Sequence, residues 1–229
     1  CGRKNSTKHK MLFNSTEFLV FFPVVVGLFF ALPYKWRWLL LLVASCVFYM
    51  AFVPVYILIL GFTIGVDYFA GILIERSLGA DRKRWLVLSI FSIVGVLAIF
   101  KYYAFLTGNL EVFLASVGMA RHFPDLGILL PIGLSFHTFQ SLSYTVEVYR
   151  GHVPAERRFG IFALYVMFFP QLVAGPIERP QSLLPQFHAR RPFNMDDLTW
   201  GLVKMAYGFF KKVVVADRLA LFVDPVYAD

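Results

Sequence analysis

From Trp38 to Val66 the chain runs 29 residues without an Asp, Glu, Lys or Arg. A stretch of that length has no polar face to turn toward water, so it belongs in a protein interior or in hydrocarbon. Four further uncharged runs cover 18–34, 85–100, 126–146 and 159–177. Only 16% of the residues are charged and 18% are aromatic, against about 25% charged in an ordinary soluble domain. This balance excludes a cytosolic globular domain, a disordered chain and a disulfide scaffold. Cys46 falls in mid-run and Cys1 at the terminus, so no disulfide framework exists.

A helix crossing a bilayer needs roughly 17–25 apolar residues, so the longest run, which continues past Asp67 to Ile74, holds two. Pro54 divides them, because proline withholds an amide donor and ends a helix. Helices are expected near 16–33, 37–53, 55–74, 85–106, 128–148 and 159–175. The less apolar 197–223 forms a seventh helix or lies along the interface. Strands of a membrane barrel would alternate apolar and polar residues; these runs do not. The expected fold is all-α, a polytopic membrane helical bundle of about six spans with a re-entrant or interfacial segment.

Residues 1–10 (CGRKNSTKHK) differ sharply in composition from the chain beyond Met11. They read as an upstream or non-native basic extension, the alternative being a basic anchor on anionic lipid. Residues 11–229 form the membrane part. Basic residues collect on the cytoplasmic side, which puts the 35–37, 75–84 and 150–158 loops inside. Arg179, Arg190 and Arg191 would then fall outside if 159–175 crossed the bilayer. A re-entrant turn at Ala174-Gly175-Pro176 repairs the conflict.

Three polar features interrupt the apolar regions. His137, Gln140, Ser141, Tyr144 and Glu147 share one helical face; the stripe either fixes helix packing by hydrogen bonds or lines a substrate or acyl-donor passage. His137 as a general base would need a partner that the sequence does not display. Asp67 sits next to Gly61 and Gly65, a spacing that lets helices approach closely, and is expected to pair with a Lys or Arg. Lys101 is expected to snorkel to the interface. The third feature is 170–191, where Pro170, Pro176, Pro180 and Pro185 rule out a straight helix. There Gln171, Gly175, Glu178 and Arg179 supply polar or irregular backbone, while Leu183, Leu184 and Phe187 suit an interfacial helix.

Phosphate-loop, serine-elbow, zinc-helix and C-x-x-C signatures are absent from the sequence. The histidines lack metal-ligand spacing, and no nucleic-acid motif occurs.

LLPIGLSFHTFQSLSYTVEVYRG (129–151), FFPQLVAGPIERPQSLLPQF (168–187), GFFKKVVVADRLA (208–220) and the opening MLFNSTEFLVFFPVVVGLFF follow one another in order. Together they resemble the membrane-bound O-acyltransferase (MBOAT) family, nearest to its alginate O-acetyltransferase (AlgI) type, with the D-alanyl-teichoic-acid (DltB) type next. The resemblance covers 11–229 and implies the N-terminal half of such a protein. It implies transfer of an acyl group, acetyl first, to hydroxyls of an exported polysaccharide such as alginate, in the bacterial inner membrane. The family's hallmark histidine is expected beyond Asp229; His122, His137, His152 and His188 do not match it. No catalytic residue is therefore expected in this half, which alone should be silent. His137, Gln140, Tyr144, Glu147, Gln171, Gly175, Pro176, Glu178 and Arg179 are the substrate-channel candidates. The resemblance further implies no bound cofactor or metal, an acyl donor that is acetyl-CoA or an acyl carrier, membrane lipid, other polysaccharide-acetylation proteins and the polymer itself as partners, and no nucleic acid. The rival readings are a transporter or exporter subunit, and a non-catalytic remnant docking a periplasmic transferase.

Overall fold

A computed structural model describes residues 13, 15–52, 54–119, 133–172 and 175–227. Residues 1–12, and with them the basic extension and Met11, lie outside these, as do Val53, Ala174 and Pro131. Among the described residues every regular element is helical. The order is α1 (Thr16–Ala31), α2 (Tyr34–Met50), α3 (Tyr56–Arg76), α4 (Gly79–Ser116), α5 (Leu134–Arg150), α6 (Phe159–Met167), α7 (Pro180–His188) and α8 (Met195–Phe209). A π-helical stretch (Phe210–Ala216) joins α8 to α9 (Asp217–Val223).

α3 is the hub, packing on α4, α5 and α6, while α2 packs on α1 and α6. Among the described residues two helices are long and apolar enough to cross a membrane, α3 with 21 residues and α4 with 38. At 1.5 Å per residue α4 is about 57 Å long, and it overruns the expected 85–106 at both ends. Its polar residues do not stop it because they fold back onto the helix: Thr107 donates to the Tyr103 carbonyl at 2.8 Å and Asn109 to that of Phe105 at 2.7 Å. Lys101 is exposed on α4, its ammonium 5.4 Å from the Tyr102 ring. α5 ends at Gly151, whose φ of +77° places it in the left-handed region that closes helix C-termini.

The expected crossing at 159–175 is corrected. α6 has nine residues, about 14 Å, too short for a core of about 30 Å. It stops because Pro170 supplies no N–H to the Val166 carbonyl four residues earlier, and because the Phe169 N–H instead donates to Ser45 Oγ on α2 at 3.1 Å. The Phe169 ring then plugs into an aromatic cluster, 5.4 Å from Phe21 and 6.0 Å from Phe48. Beyond it the chain turns back. Arg158 before α6 and Arg190 and Arg191 after α7 line one cavity with Lys35 and Arg37 of α2, and Tyr34 donates to the His188 carbonyl at 2.5 Å. Both ends of 158–191 thus reach the same end of the bundle.

Close helix approach also differs from the sequence expectation. A Cβ at Gly61 or Gly65 would meet nothing within 4 Å, whereas one at Gly71 would lie 2.8 Å from Tyr144 Cε1 and one at Gly160 would lie 2.3 Å from Trp38 Cζ3. Gly71 and Gly160 are therefore where helices touch. The 195–227 arm buries no residue; just before it Phe193 lies 5.1 Å from Phe30 of α1, and Leu198, Leu202 and Met205 of α8 line a cavity with Phe22, Val26 and Phe30.

Candidate functional site

The candidate site is the α5 stripe and the broken segment it faces. His137, Gln140, Ser141 and Tyr144 are all buried. His137 Nδ1 lies 3.0 Å from the Val166 carbonyl oxygen; since a carbonyl only accepts, Nδ1 carries the proton and Nε2 the lone pair. One turn on, Gln140 Nε2 donates to the Tyr165 carbonyl at 2.7 Å. These are two of the carbonyls that lose their helical donors where α6 stops. Spaced i, i+3 on α5, His137 and Gln140 cap a neighbouring helix's C-terminus. Gly133 makes the approach feasible: its φ is +79°, and a Cβ there would sit 2.5 Å from the Leu172 carbonyl oxygen and 3.1 Å from His137 Nε2. Nε2 of His137 and Oε1 of Gln140 remain buried without a partner among the described residues.

Gln171 Oε1 accepts a long 3.5 Å contact from Gln140 Nε2, so the stripe meets the broken segment there. The Gly175 N–H closes a turn onto the Gln171 carbonyl at 3.0 Å, and a Cβ at Gly175 would lie 2.5 Å from Gln171 Cα. Tyr165 donates to the Glu178 carbonyl at 3.0 Å, which pins the returning segment. Pro176 and Arg179 are exposed. Arg179 precedes α7, and its carbonyl accepts from Ser182 and Leu183.

Toward the other end of the stripe, Tyr144 Oη accepts the Glu156 N–H at 2.9 Å, and its ring lies 4.5 Å from that of Phe162, tilted by 46°. Glu147 accepts from Gln181 of α7 and lies 2.9 Å from His152 Nδ1. His188 Nε2 lies 2.7 Å from Glu156 Oε2. The structure thus brings His137, Gln140 and Gln171 together, and separately joins Glu147 to α7. It leaves Arg179 apart.

Asp67 departs from the cation pairing expected of it. Its carboxylate is buried and accepts three hydroxyls from two helices: Ser89 of α4 at 2.6 Å, and Ser141 and Thr145 of α5, the last at 3.4 Å. Thr145 shares its proton with the Ser141 carbonyl at 3.1 Å. The sequence reading missed Ser45, Ser89, Thr145 and Tyr165. Thr145 was recoverable, lying one turn beyond Ser141 on the same face; Ser45 and Ser89 sit alone in apolar runs and carry no local signal. Among the described residues no group of His, Cys, Asp and Glu could hold a metal ion.

Comparison with known proteins gives this geometry a context. The chain is 39% identical over 221 residues to alginate O-acetylase AlgI of Pseudomonas aeruginosa and 38% identical over 229 residues to AlgI of Azotobacter vinelandii. It is 31% identical over 249 residues to peptidoglycan O-acetyltransferase of Helicobacter pylori. These matches take in 95%, 95% and 93% of the chain but 42%, 44% and 46% of the relatives; the chain spans less than half their length. No family model matches it. The likeness to AlgI-type proteins read from the motifs is borne out, and each of these relatives is named for O-acetyl transfer.

Proposed function

We propose that the chain forms part of a bacterial membrane-bound O-acyltransferase that moves an acetyl group onto hydroxyls of an exported polysaccharide such as alginate. The observation that carries this reading is the 39% identity to an alginate O-acetylase over 95% of the chain. It sits as a multi-pass protein in the inner membrane, with about six segments entering the bilayer. The exposed Leu58, Phe62, Phe69, Val87 and Phe91 on α3 and α4 support a lipid-facing surface. The end carrying Lys35, Arg37, Arg158 and Arg191 is cytoplasmic. The acyl donor is a thioester, acetyl-CoA or an acyl carrier, and other polysaccharide-acetylation proteins complete the system.

In the reaction a general base takes the acceptor's hydroxyl proton as the acceptor oxygen attacks the thioester carbonyl carbon; the carbon–sulfur bond then breaks and the thiol leaves with the proton, the base's share being worth roughly 10²–10⁴-fold in rate. Each of His137, His152 and His188 has one ring nitrogen held, at Val166, Glu147 and Glu156, and none stands at the position of the family's hallmark histidine, so this stretch is assigned walls and positioning rather than the base. The broken segment, with Gln171, Gly175, Pro176, Glu178 and Arg179, forms one wall with the α5 stripe behind it. Irregular backbone at membrane depth belongs where protein or a wet cavity surrounds it. The exposed Arg179 guanidinium faces an anionic donor or acceptor.

Deleting the gene, and then restoring the complete gene product, tests the reading. Base-released acetate from the exported polymer should fall on deletion and return on complementation; an unchanged acetate content overturns it. Arg179→Ala in the complete protein should lower the acetate content, and full retention removes Arg179 from the mechanism.

A further inference from the structure

The turn between α1 and α2, the start of α6 and the linker after α7 enclose a cavity of about 410 Å³. Lys35, Arg37, Arg158, Arg190 and Arg191 line it, and no carboxylate does. Among the described residues none of the five joins an ion pair. Like charges brought together this way repel, yet two of the five are held in place. Arg37 Nε donates to the Leu32 carbonyl at 3.1 Å and Nη1 to the Arg191 carbonyl at 2.8 Å, which leaves Nη2 uncommitted. The Arg190 guanidinium lies 5.4 Å from the Tyr34 ring centroid. Apart from Tyr34 and Gln186 the remaining wall is apolar, including Trp38, Leu41 and Phe187.

The cytoplasmic placement of cations accounts for their side of the bilayer, but not for three distant segments closing round one space with no acid between them. Converging guanidinium and ammonium donors suit phosphate oxygens, and basic pockets between membrane helices hold anionic headgroups. We propose that this cavity is a phosphate-binding site, filled either by the headgroup of an anionic membrane lipid or by a soluble phosphate. The lipid source rests on the proposed membrane placement; the phosphate chemistry does not.

The complete gene product is placed in nanodiscs of phosphatidylcholine mixed with phosphatidylglycerol, and lipid retention is read by native mass spectrometry. Inorganic phosphate is titrated separately in pure phosphatidylcholine, with the thermal midpoint as readout. Preferential retention of phosphatidylglycerol, weakened roughly 100-fold in the Lys35→Gln/Arg158→Gln/Arg190→Gln variant, supports the site with a lipid occupant. A midpoint rise with inorganic phosphate, lost in the same variant and without lipid preference, supports it with a soluble one. No preference and no phosphate response in the wild type, or responses that persist in the variant, overturn the proposal. Should the triple variant melt early in phosphatidylcholine alone, Arg158→Gln replaces it. That exposed side chain forms no hydrogen bond among the described residues, and its loss should weaken binding roughly 5-fold.

Discussion

His137 on α5 holds the Val166 carbonyl on α6, Nδ1 to oxygen 3.0 Å, in the place of the amide hydrogen that Pro170 lacks. Histidine and proline are 33 positions apart in sequence, yet one compensates for the other. A buried carbonyl stripped of its partner costs about 1–3 kcal/mol. His137→Phe, which keeps a ring but no donor, should therefore destabilise the complete protein by about that much in a detergent unfolding titration. His137→Gln, which restores an N–H, should recover part of it. Activity should follow stability across both variants; a large activity loss at unchanged stability would make His137 a participant in the chemistry.

Ser89 and Ser141 share one carboxylate, so their contributions should not add. Each alanine substitution should cost about 0.6–1.7 kcal/mol, the range for hydrogen bonds between membrane helices. In a double-mutant cycle the pair should depart from the sum of the singles. Strict additivity would mean that Asp67 does not gather the two helices.

Gly71→Ala and Gly61→Ala should have opposite effects. At Gly71 the added methyl drives into Tyr144, and such overpacking costs about 1–3 kcal/mol. At Gly61 it meets open space, and alanine gains about 0.5–1 kcal/mol of helix preference over glycine. Thermal midpoints of the two variants decide, and equal shifts would refute the contrast.

Single cysteines at Lys35 and Arg190, in a background with Cys1 and Cys46 both changed to serine, should react with a membrane-impermeant maleimide from the same side of oriented vesicles. Labelling from opposite sides would contradict the reversal of the chain between α6 and α7.

Helix type and most helix positions were legible because uncharged length and period are local properties. Pro54 separated α2 from α3 as the sequence implied. The misreadings have one physical source, namely that an apolar run reports solvent preference and not hydrogen-bond closure. Residues 159–175 are uncharged throughout, but the helix stops at Met167, and what allows it to stop is Ser45, Gln140 and His137 on other helices. Gly61 and Gly65 had the spacing of a helix contact, and the contact is made instead at Gly71, which faces Tyr144. Asp67 was legible as buried but not as hydroxyl-bound, because Ser89 lies a helix away. The α5 stripe was legible as a face, and its partners were not, since the carbonyls of Tyr165 and Val166 carry no mark in the sequence.

The borrowed caps on α6 bear on how the protein is made. A nine-residue helix whose last carbonyls are closed only by side chains of α5 has no satisfied state of its own in hydrocarbon. In the proposed membrane placement, α5 is synthesised first and must still stand beside the insertion site when α6 enters, so that its side chains close the α6 carbonyls. With that placement the smallest unit that can leave the ribosome-bound channel is the α5–α6 pair, and a substitution that removes both caps would surface as premature degradation of the nascent chain before any defect in the finished protein could be assayed.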